Sequence, residues 1–388
     1  MGARILDIWS HISPEYGGIG PAAAGLAAAV GQEDGWHSSL LAVCNPTEKE
    51  LSVGIPATVE VLQASGVRGI SDVRLRSRLA AAIARCDVCH VHGLWLPHTV
   101  GARSIARALE KPVLSSVHGH LARWELKKKW LKKALYSTIF ERPSLAQSYC
   151  LRALTQQEAA DCRSYGLKNP IVVVPNGVAH LSRVSVEPFV AQFPQMIGKQ
   201  VVLFLSRVHY QKGILELLKA WPDVIGKCGE AHLLVAGPNN EHTLADAQAI
   251  VASSRLADSV TFCGTISGDL KMAALSAARY FCLPSYSEGL SVAALEALSI
   301  GLPVILTPEC NVDGVADYGA GIVTSNDPSQ LGDALSQCLR LKDSEWNGMS
   351  QAAVRLARER FDWDRIAESL RSAYLWMMGG PEPHCLVG

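Results

Sequence analysis

The chain has no run of about 18 apolar residues, so no membrane-spanning helix is expected from it. Its first apolar stretch, Ile5-Leu6-Asp7-Ile8-Trp9, is short and interrupted by an acid, which does not fit a secretory signal. It also lacks net charge: 36 basic and 36 acidic side chains balance, which argues against a protein that binds nucleic acid over its whole surface but leaves room for local basic patches. The eleven cysteines lack a pattern. Many lie in apolar runs, as Cys44, Cys263 and Cys282 do, and read as reduced core thiols of a cytosolic protein. Cys86-Asp87-Val88-Cys89-His90 has the spacing of a haem-attachment pattern, and His92 and His118 raise zinc as an alternative. Alternate residues of the strand Val88-Cys89-His90-Val91 face opposite ways, however, and no second cysteine pair follows, so no metal is expected. What the chain does have is length: 388 residues exceed the usual single core and imply two domains of about 150–200 residues.

The chain is organised around residues 284–298, Pro-Ser-Tyr-Ser-Glu-Gly-Leu-Ser-Val-Ala-Ala-Leu-Glu-Ala-Leu, which set Glu288 and Glu296 eight positions apart across a loop and the following helix. The run 278–284 before it reads as a short buried strand ended by proline, and Gly301-Leu302-Pro303 stops the helix. Ser291 has the chemistry of an N-cap. The backbone N–H groups of Gly289, Leu290 and Ser291 are expected to face outward at the positive end of the helix dipole, an arrangement suited to phosphate. Glu296 sits in a helix apolar nearly all round, so it needs a partner. For a lone glutamate the plainer reading is structural. A second glutamate beside a glycine, at a helix start, shifts the balance toward a polar ligand site.

This Glu-x7-Glu loop resembles that of the retaining glycosyltransferases of the GT4 type, and neighbouring motifs agree. The resemblance implies that Glu296 binds the nucleotide ribose, that Glu288 contacts the donor sugar near the leaving bond, and that the backbone of Gly289, Leu290 and Ser291 holds the diphosphate. Ser206-Arg207-x4-Lys212-Gly213 after a strand is similar to the family's Ser-Arg-x4-Lys-Gly and implies that Arg207 and Lys212 reach the same diphosphate. Gly17-Gly18 resembles the glycine-rich first loop, which approaches donor phosphates and acceptor. His118 matches the family histidine near the anomeric carbon and acceptor, and Gly264, Thr265 and Ile266 are base-pocket candidates. Asn176-Gly177 and the helix after Phe361 also fit the family.

In chain order, a strand at 3–9 and an alanine-rich helix with Pro21 in its first turn are followed by a helix at 75–84, a strand at 88–91, a helix at 100–109 and a strand at 113–117. Such alternation reads as a doubly wound sheet, with functional loops at strand carboxyl ends, where His92, Gly93, His118, Gly119 and His120 fall. Gly18-Ile19-Gly20-Pro21-Ala22-Ala23 matches the dinucleotide fingerprint only formally, since it begins too late after the strand and the second strand ends in Cys44-Asn45 in place of an acid. Residues 124–133, Trp-Glu-Leu-Lys-Lys-Lys-Trp-Leu-Lys-Lys, are the one concentrated basic segment: either a solvated helix face or a helix resting on an anionic membrane. Asp362 and Asp364 read as the acidic start of a helix.

The expected fold is α/β of the GT-B kind, two facing doubly wound Rossmann-like domains with an interdomain cleft. Residues 1–180 form an acceptor domain completed by a helix at about 362–380, residues 181–199 a linker, and residues 200–361 the nucleotide-sugar domain. The expected activity is metal-independent, retaining transfer from a nucleotide-diphosphate-sugar to a glycan or lipid-linked acceptor at the cytoplasmic face of a bacterial membrane. His118, Glu288, Arg207 and Lys212 are its catalytic candidates, and no separate cofactor or nucleic acid is involved. A GT-B epimerase or phosphorylase, a non-catalytic nucleotide-sugar-binding protein and a dinucleotide dehydrogenase remain as alternatives.

Overall fold

A computed structural model describes residues 2–10, 18–44, 58–63, 73–127, 130–239 and 241–387. Gly17, Lys128 and Lys129, singled out above, lie outside the described residues. The chain divides into two compact units, one of residues 1–177 with 363–388 and the other of residues 178–362. The stretch 181–199 carries a short helix, Glu187–Gln192, and a 3-10 turn, Pro194–Met196.

In the first unit the strands are β1 (Arg4–Trp9), β2 (His37–Cys44), β3 (Thr58–Gln63), β4 (Val88–His92), β5 (Val113–Ser116), β6 (Cys150–Ala153) and β7 (Ile171–Val173). The second unit contributes β8 (Gln200–Leu205), β9 (Ala231–Ala236), β10 (Val260–Gly264), β11 (Tyr280–Leu283), β12 (Val304–Leu306) and β13 (Gly321–Val323). After these the chain adds β14 (Leu386–Val387) to the first sheet.

The first sheet has the order β14-β7-β6-β5-β4-β1-β2-β3, with every pairing parallel except β14 on β7. The second, β10-β9-β8-β11-β12-β13, is parallel throughout. Parallel strands covered on both faces must be apolar along their length, and β9 and β11 are buried at every residue. Strand order reverses between β1 and β4 in one sheet and between β8 and β11 in the other. Crevices at the carboxyl ends of strands open at such reversals, and the loops that carry the candidate site residues fall at both of them.

The first sheet's two faces carry separate cores. Leu6, Ile8, Cys89 and Val91 pack toward the helices Val73–Ala84 and Pro97–Ala108. Ile5, Val88, Leu114 and Cys150 pack under the helices Ile19–Val30 and Trp363–Met377. Trp363 fixes the start of the returning helix by filling space that glycines leave: a Cβ on Gly25 or Gly177 would come within 2.6 or 2.3 Å of its ring. Asp364 lies in that helix's first turn, where acids suit the dipole, while Asp362, just before it, holds His180 Nε2 at 2.6 Å.

Candidate functional site

At the reversal in the second sheet, two loops are knitted together. The loop after β8 ends in a 3-10 turn, Tyr210–Lys212, and Gly213 then caps the helix Ile214–Lys227 at φ 71°. A Cβ on Gly213 would stand 1.9 Å from the carbonyl oxygen of Pro284, so both the left-handed backbone and the close approach require glycine. That approach lets Tyr286 N–H donate to Gln211 O (2.8 Å), Ser285 Oγ to Gln211 O (3.0 Å) and Gln211 Nε2 to Ser287 O (3.0 Å). Lys212 Nζ is thereby set 2.6 Å from Glu288 Oε1 in a pair whose side chains are only 9% and 14% exposed. Glu288 is held through its backbone as well, since its N–H donates to Glu309 O and Asn311 Nδ2 donates to its carbonyl. Arg207, on the same β8 loop, is exposed.

Ser291 caps the helix Val292–Ser299 by accepting from Ala294 N–H, as its side chain suggests. The expectation of a free amide at Ser291 is corrected. Its N–H donates to Cys310 O at 3.3 Å, because the 3-10 turn Pro308–Cys310 packs against the loop. Leu290 is buried and Gly289 half-buried. Glu296 is less enclosed than its apolar helix implies, at 23% side-chain exposure, and the partner it needs is Lys271, with Nζ 2.6 Å from Glu296 Oε1. Lys271 comes from the helix Gly268–Ala277, in a stretch without a recognisable motif, so sequence reasoning had no signal for it. Just before that helix lie Gly264, at φ 71°, and the buried Ile266.

The first unit builds a second polar constellation at its own reversal. Register sets Asp7 of β1 beside His90 of β4, and His92 beside Ser116 of β5. Strand alternation puts His90 and His92 on one face, with ring centroids 4.0 Å apart, and sends Cys89 to the opposite core. Asp7 Oδ1 lies 2.8 Å from His92 Nε2 and 3.1 Å from His90 Nδ1, and Ser38 Oγ donates to Oδ2. His90 also meets Tyr374 OH and Ser116 Oγ, both at 2.7 Å. His92 Nδ1 is 3.0 Å from His118 Nε2. Beneath them Arg152, 1% exposed, donates to Ser116 Oγ, to the carbonyls of Val174 and Pro175 and to Asn176 Oδ1. The atoms of Asp7, His90 and His92 lie within 4.8 Å of one another, a spacing open to a cation, and here hydrogen bonds join them.

His118 occupies the left-handed region at φ 54° and Gly119 follows at φ 75°. A non-glycine residue is seldom held there unless its surroundings over-determine it. Buried Glu158 does so by accepting the N–H groups of Gly119 and Leu154, and His120 Nδ1 accepts Leu94 N–H. Burial governs titration in this layer. It pushes His90 down to about 3 and His120 to about 4, lowers His92, and lowers His118 well below the ordinary range, with the charges of His92 and Arg152 adding to the last. It raises Glu158 to about 7 against its two backbone donors and brings Arg152 to about 10. Burial would raise Asp7 too, but the hydrogen bonds of His90 and His92 outweigh it and keep the carboxylate well below its usual range. Gly18 is the exposed residue just before the helix Ile19–Val30.

Two models of known families match the chain: the glycosyl transferase 4-like domain over residues 17–177 and the glycosyl transferases group 1 over residues 199–341. Among solved structures, the sucrose-phosphate synthase of Thermosynechococcus elongatus superposes with a TM-score of 0.78 at 19% identity, over 97% of this chain and 99% of that one. Anabaena HepE in complex with UDP and glucose gives 0.75 at 16% identity, over 96% and 99%. The two Rossmann-like parallel-sheet units thus define a GT-B fold. A curated relative, the GDP-mannose:cellobiosyl-diphosphopolyprenol alpha-mannosyltransferase of Xanthomonas campestris, is 24% identical over 318 residues, 81% of each chain. The chain belongs to the group 1, GT4-type glycosyltransferases and is a transferase of the EC 2.4 class.

Proposed function

We propose that the protein moves a hexose from a nucleotide-diphosphate-sugar to a hydroxyl of a lipid-linked or growing cell-surface glycan, with retention and without a divalent metal. The observation that carries this reading is the docking of the β8 loop on the β11 loop. It sets a mostly buried Lys212–Glu288 pair at the sheet's reversal, with exposed Arg207 carried by the same β8 loop, where a diphosphate and the sugar attached to it find cation and carboxylate together. Residues of the second unit handle the donor: Arg207, Lys212 and the amides of Gly289 and Leu290 take the diphosphate, Glu288 the sugar and Glu296 the ribose. Residues of the first unit, His118 foremost, serve the acceptor and the reacting sugar. The leaving phosphate oxygen takes the acceptor proton on the same face of the sugar, so Glu288 and His118 orient and stabilise and neither attacks. The Xanthomonas relative's diphosphopolyprenol acceptor supports a lipid carrier here.

A thermal-shift and turnover panel of UDP-, GDP- and ADP-sugars tests the proposal. The true donor, at a hundredfold excess over its dissociation constant, is expected to add about 2.7 kcal/mol of stability. Glu296→Ala should abolish most of that shift while slowing bound-state turnover far less, because ribose contacts are equal in ground and transition states. No shift with any of the three, or sugar release to water or phosphate with no acceptor required, contradicts the proposal.

Peripheral membrane attachment belongs to the same reading. No helix among the described residues is long and apolar enough to cross a bilayer. The end of the basic run and the segment after it nevertheless expose Trp130, Leu131, Leu135, Ile139 and Phe140, of which Leu131, Leu135 and Ile139 recur every fourth residue. Lys127 and Lys132 are exposed as well. Lys133 is turned inward, donating to Glu125 O and lying 5.3 Å from the Trp95 ring centroid, and so drops out of the charged face. Sedimentation with anionic vesicles is expected to fall sharply in a Leu131→Ser, Leu135→Ser double variant and at high salt, as the Debye length shrinks from about 8 to about 3 Å at 1 M. Binding unchanged by both removes the membrane role.

A further inference from the structure

One aspartate and two histidines, Asp7, His92 and His118, stand in a row in the first unit, and each link dictates the hydrogen of the next. Asp7, 1% exposed and ionised, can only accept, so the 2.8 Å contact puts a proton on His92 Nε2. His92 is fully buried and neutral, so that is its one ring proton and Nδ1 carries a lone pair. The 3.0 Å contact to His118 Nε2 then needs a donor there. His118, neutral for the same reason of burial, is left with an unprotonated Nδ1.

We propose that Asp7 and His92 are positioning residues that fix the tautomer of His118, so that its Nδ1 is presented as a hydrogen-bond acceptor to a substrate hydroxyl. The identity of that hydroxyl, on sugar or acceptor, rests on the function proposed above; the ordering of protons does not. The other ionisable groups around the row agree with it. Arg152 donates to Ser116 Oγ, which leaves the serine hydrogen for His90 Nε2 and the His90 Nδ1 proton for the side facing Asp7 and Tyr374. Glu158 is engaged by the N–H groups of Gly119 and Leu154, and His120 Nδ1 is engaged by Leu94 N–H. The left-handed backbone at His118 is thus a constraint that keeps its ring on the line Asp7–His92.

A substitution one atom in size inverts the row. In Asp7→Asn, with the amide oxygen toward Ser38 Oγ and the His90 Nδ1 proton given to Tyr374 OH, the amide NH2 donates to His92 Nε2, which moves the His92 proton to Nδ1. His92 then donates to His118 Nε2, and His118 carries its proton on Nδ1, offering a donor where the wild type offers an acceptor. The test is 15N NMR of the full chain labelled at histidine, with His118 assigned through His118→Gln. The wild type is expected to show an unprotonated Nδ1 on His118, and Asp7→Asn a protonated one, with kcat/KM for the donor falling about 10- to 100-fold. The wild-type spectrum decides the proton order by itself should Asp7→Asn fail to fold. A protonated His118 Nδ1 in the wild type, or His90 and His92 signals that move on adding EDTA, would overturn the proposal. Inversion of the tautomer with kcat/KM unaltered upholds the positioning row and removes His118 from the reaction, so the two readings fail separately.

Discussion

Lys212→Ala is expected to lower turnover about a hundredfold, the scale of one preorganised donor removed from a developing anion. Lys212 is buried, stands 2.6 Å from Glu288 and is locked by a loop whose next residue only glycine can occupy. A cation so fixed needs no reorganisation when charge gathers on the departing diphosphate, so its contribution grows from ground state to transition state and appears in kcat more than in KM. Lys212→Arg should restore little, since a planar guanidinium fork cannot take the place of a point ammonium in a pocket that already contacts Glu288. Initial rates with the identified donor, with and without EDTA, make the check. A Lys212→Ala enzyme within about threefold of wild type would remove the lysine from catalysis. Full inhibition by chelator, reversed by magnesium or manganese, would overturn metal independence.

The second large effect is acid instability of the first unit, and its sign follows from the protons each state binds. His90 and His120 titrate at about 3 and 4 in the folded chain against 6.5 when unfolded, so below 6.5 the unfolded chain binds more protons and stability falls as pH falls. Glu158 acts oppositely: at about 7 folded against 4.5 unfolded, it loses stability as pH rises between those values and regains it on acidification. Two histidines against one glutamate leave one net proton, a slope of about 1.4 kcal/mol per pH unit between 6.5 and 4.5. His92 and His118 are displaced in the same direction as the other histidines and steepen it. Asp7 adds to the loss below its unfolded value of 3.8. From pH 6.5 to 5 the folded state should therefore lose about 2 kcal/mol or more, read from urea midpoints by circular dichroism. Stability that is flat or rises over that interval would mean these rings are not held neutral.

Local rules made part of this molecule legible from the sequence. Runs such as residues 201–205 and Tyr280–Leu283 are strands because their residues are apolar and flanked by breakers or polar residues, and Ser291 caps because its oxygen reaches an amide three residues on. The Glu-x7-Glu and Ser-Arg-x4-Lys-Gly spacings are likewise local, and they were enough to point to the family. The edge strands β3 and β14 were not legible: β3, Thr-Val-Glu-Val-Leu-Gln, mixes polar with apolar residues, and β14 has two residues and antiparallel pairing.

What the tertiary structure alone decided is which polar groups meet. Lys212 and Glu288 are 76 residues apart, and Lys271 and Glu296 are 25 apart. Asp7 interrupts an apolar strand in the sequence and becomes, 85 residues from His92, the anchor of a row of histidines. Hydrophobic periodicity assigns a side chain to a face, but strand order and register choose its neighbours. A buried charge is tolerated only beside the partner that this choice supplies.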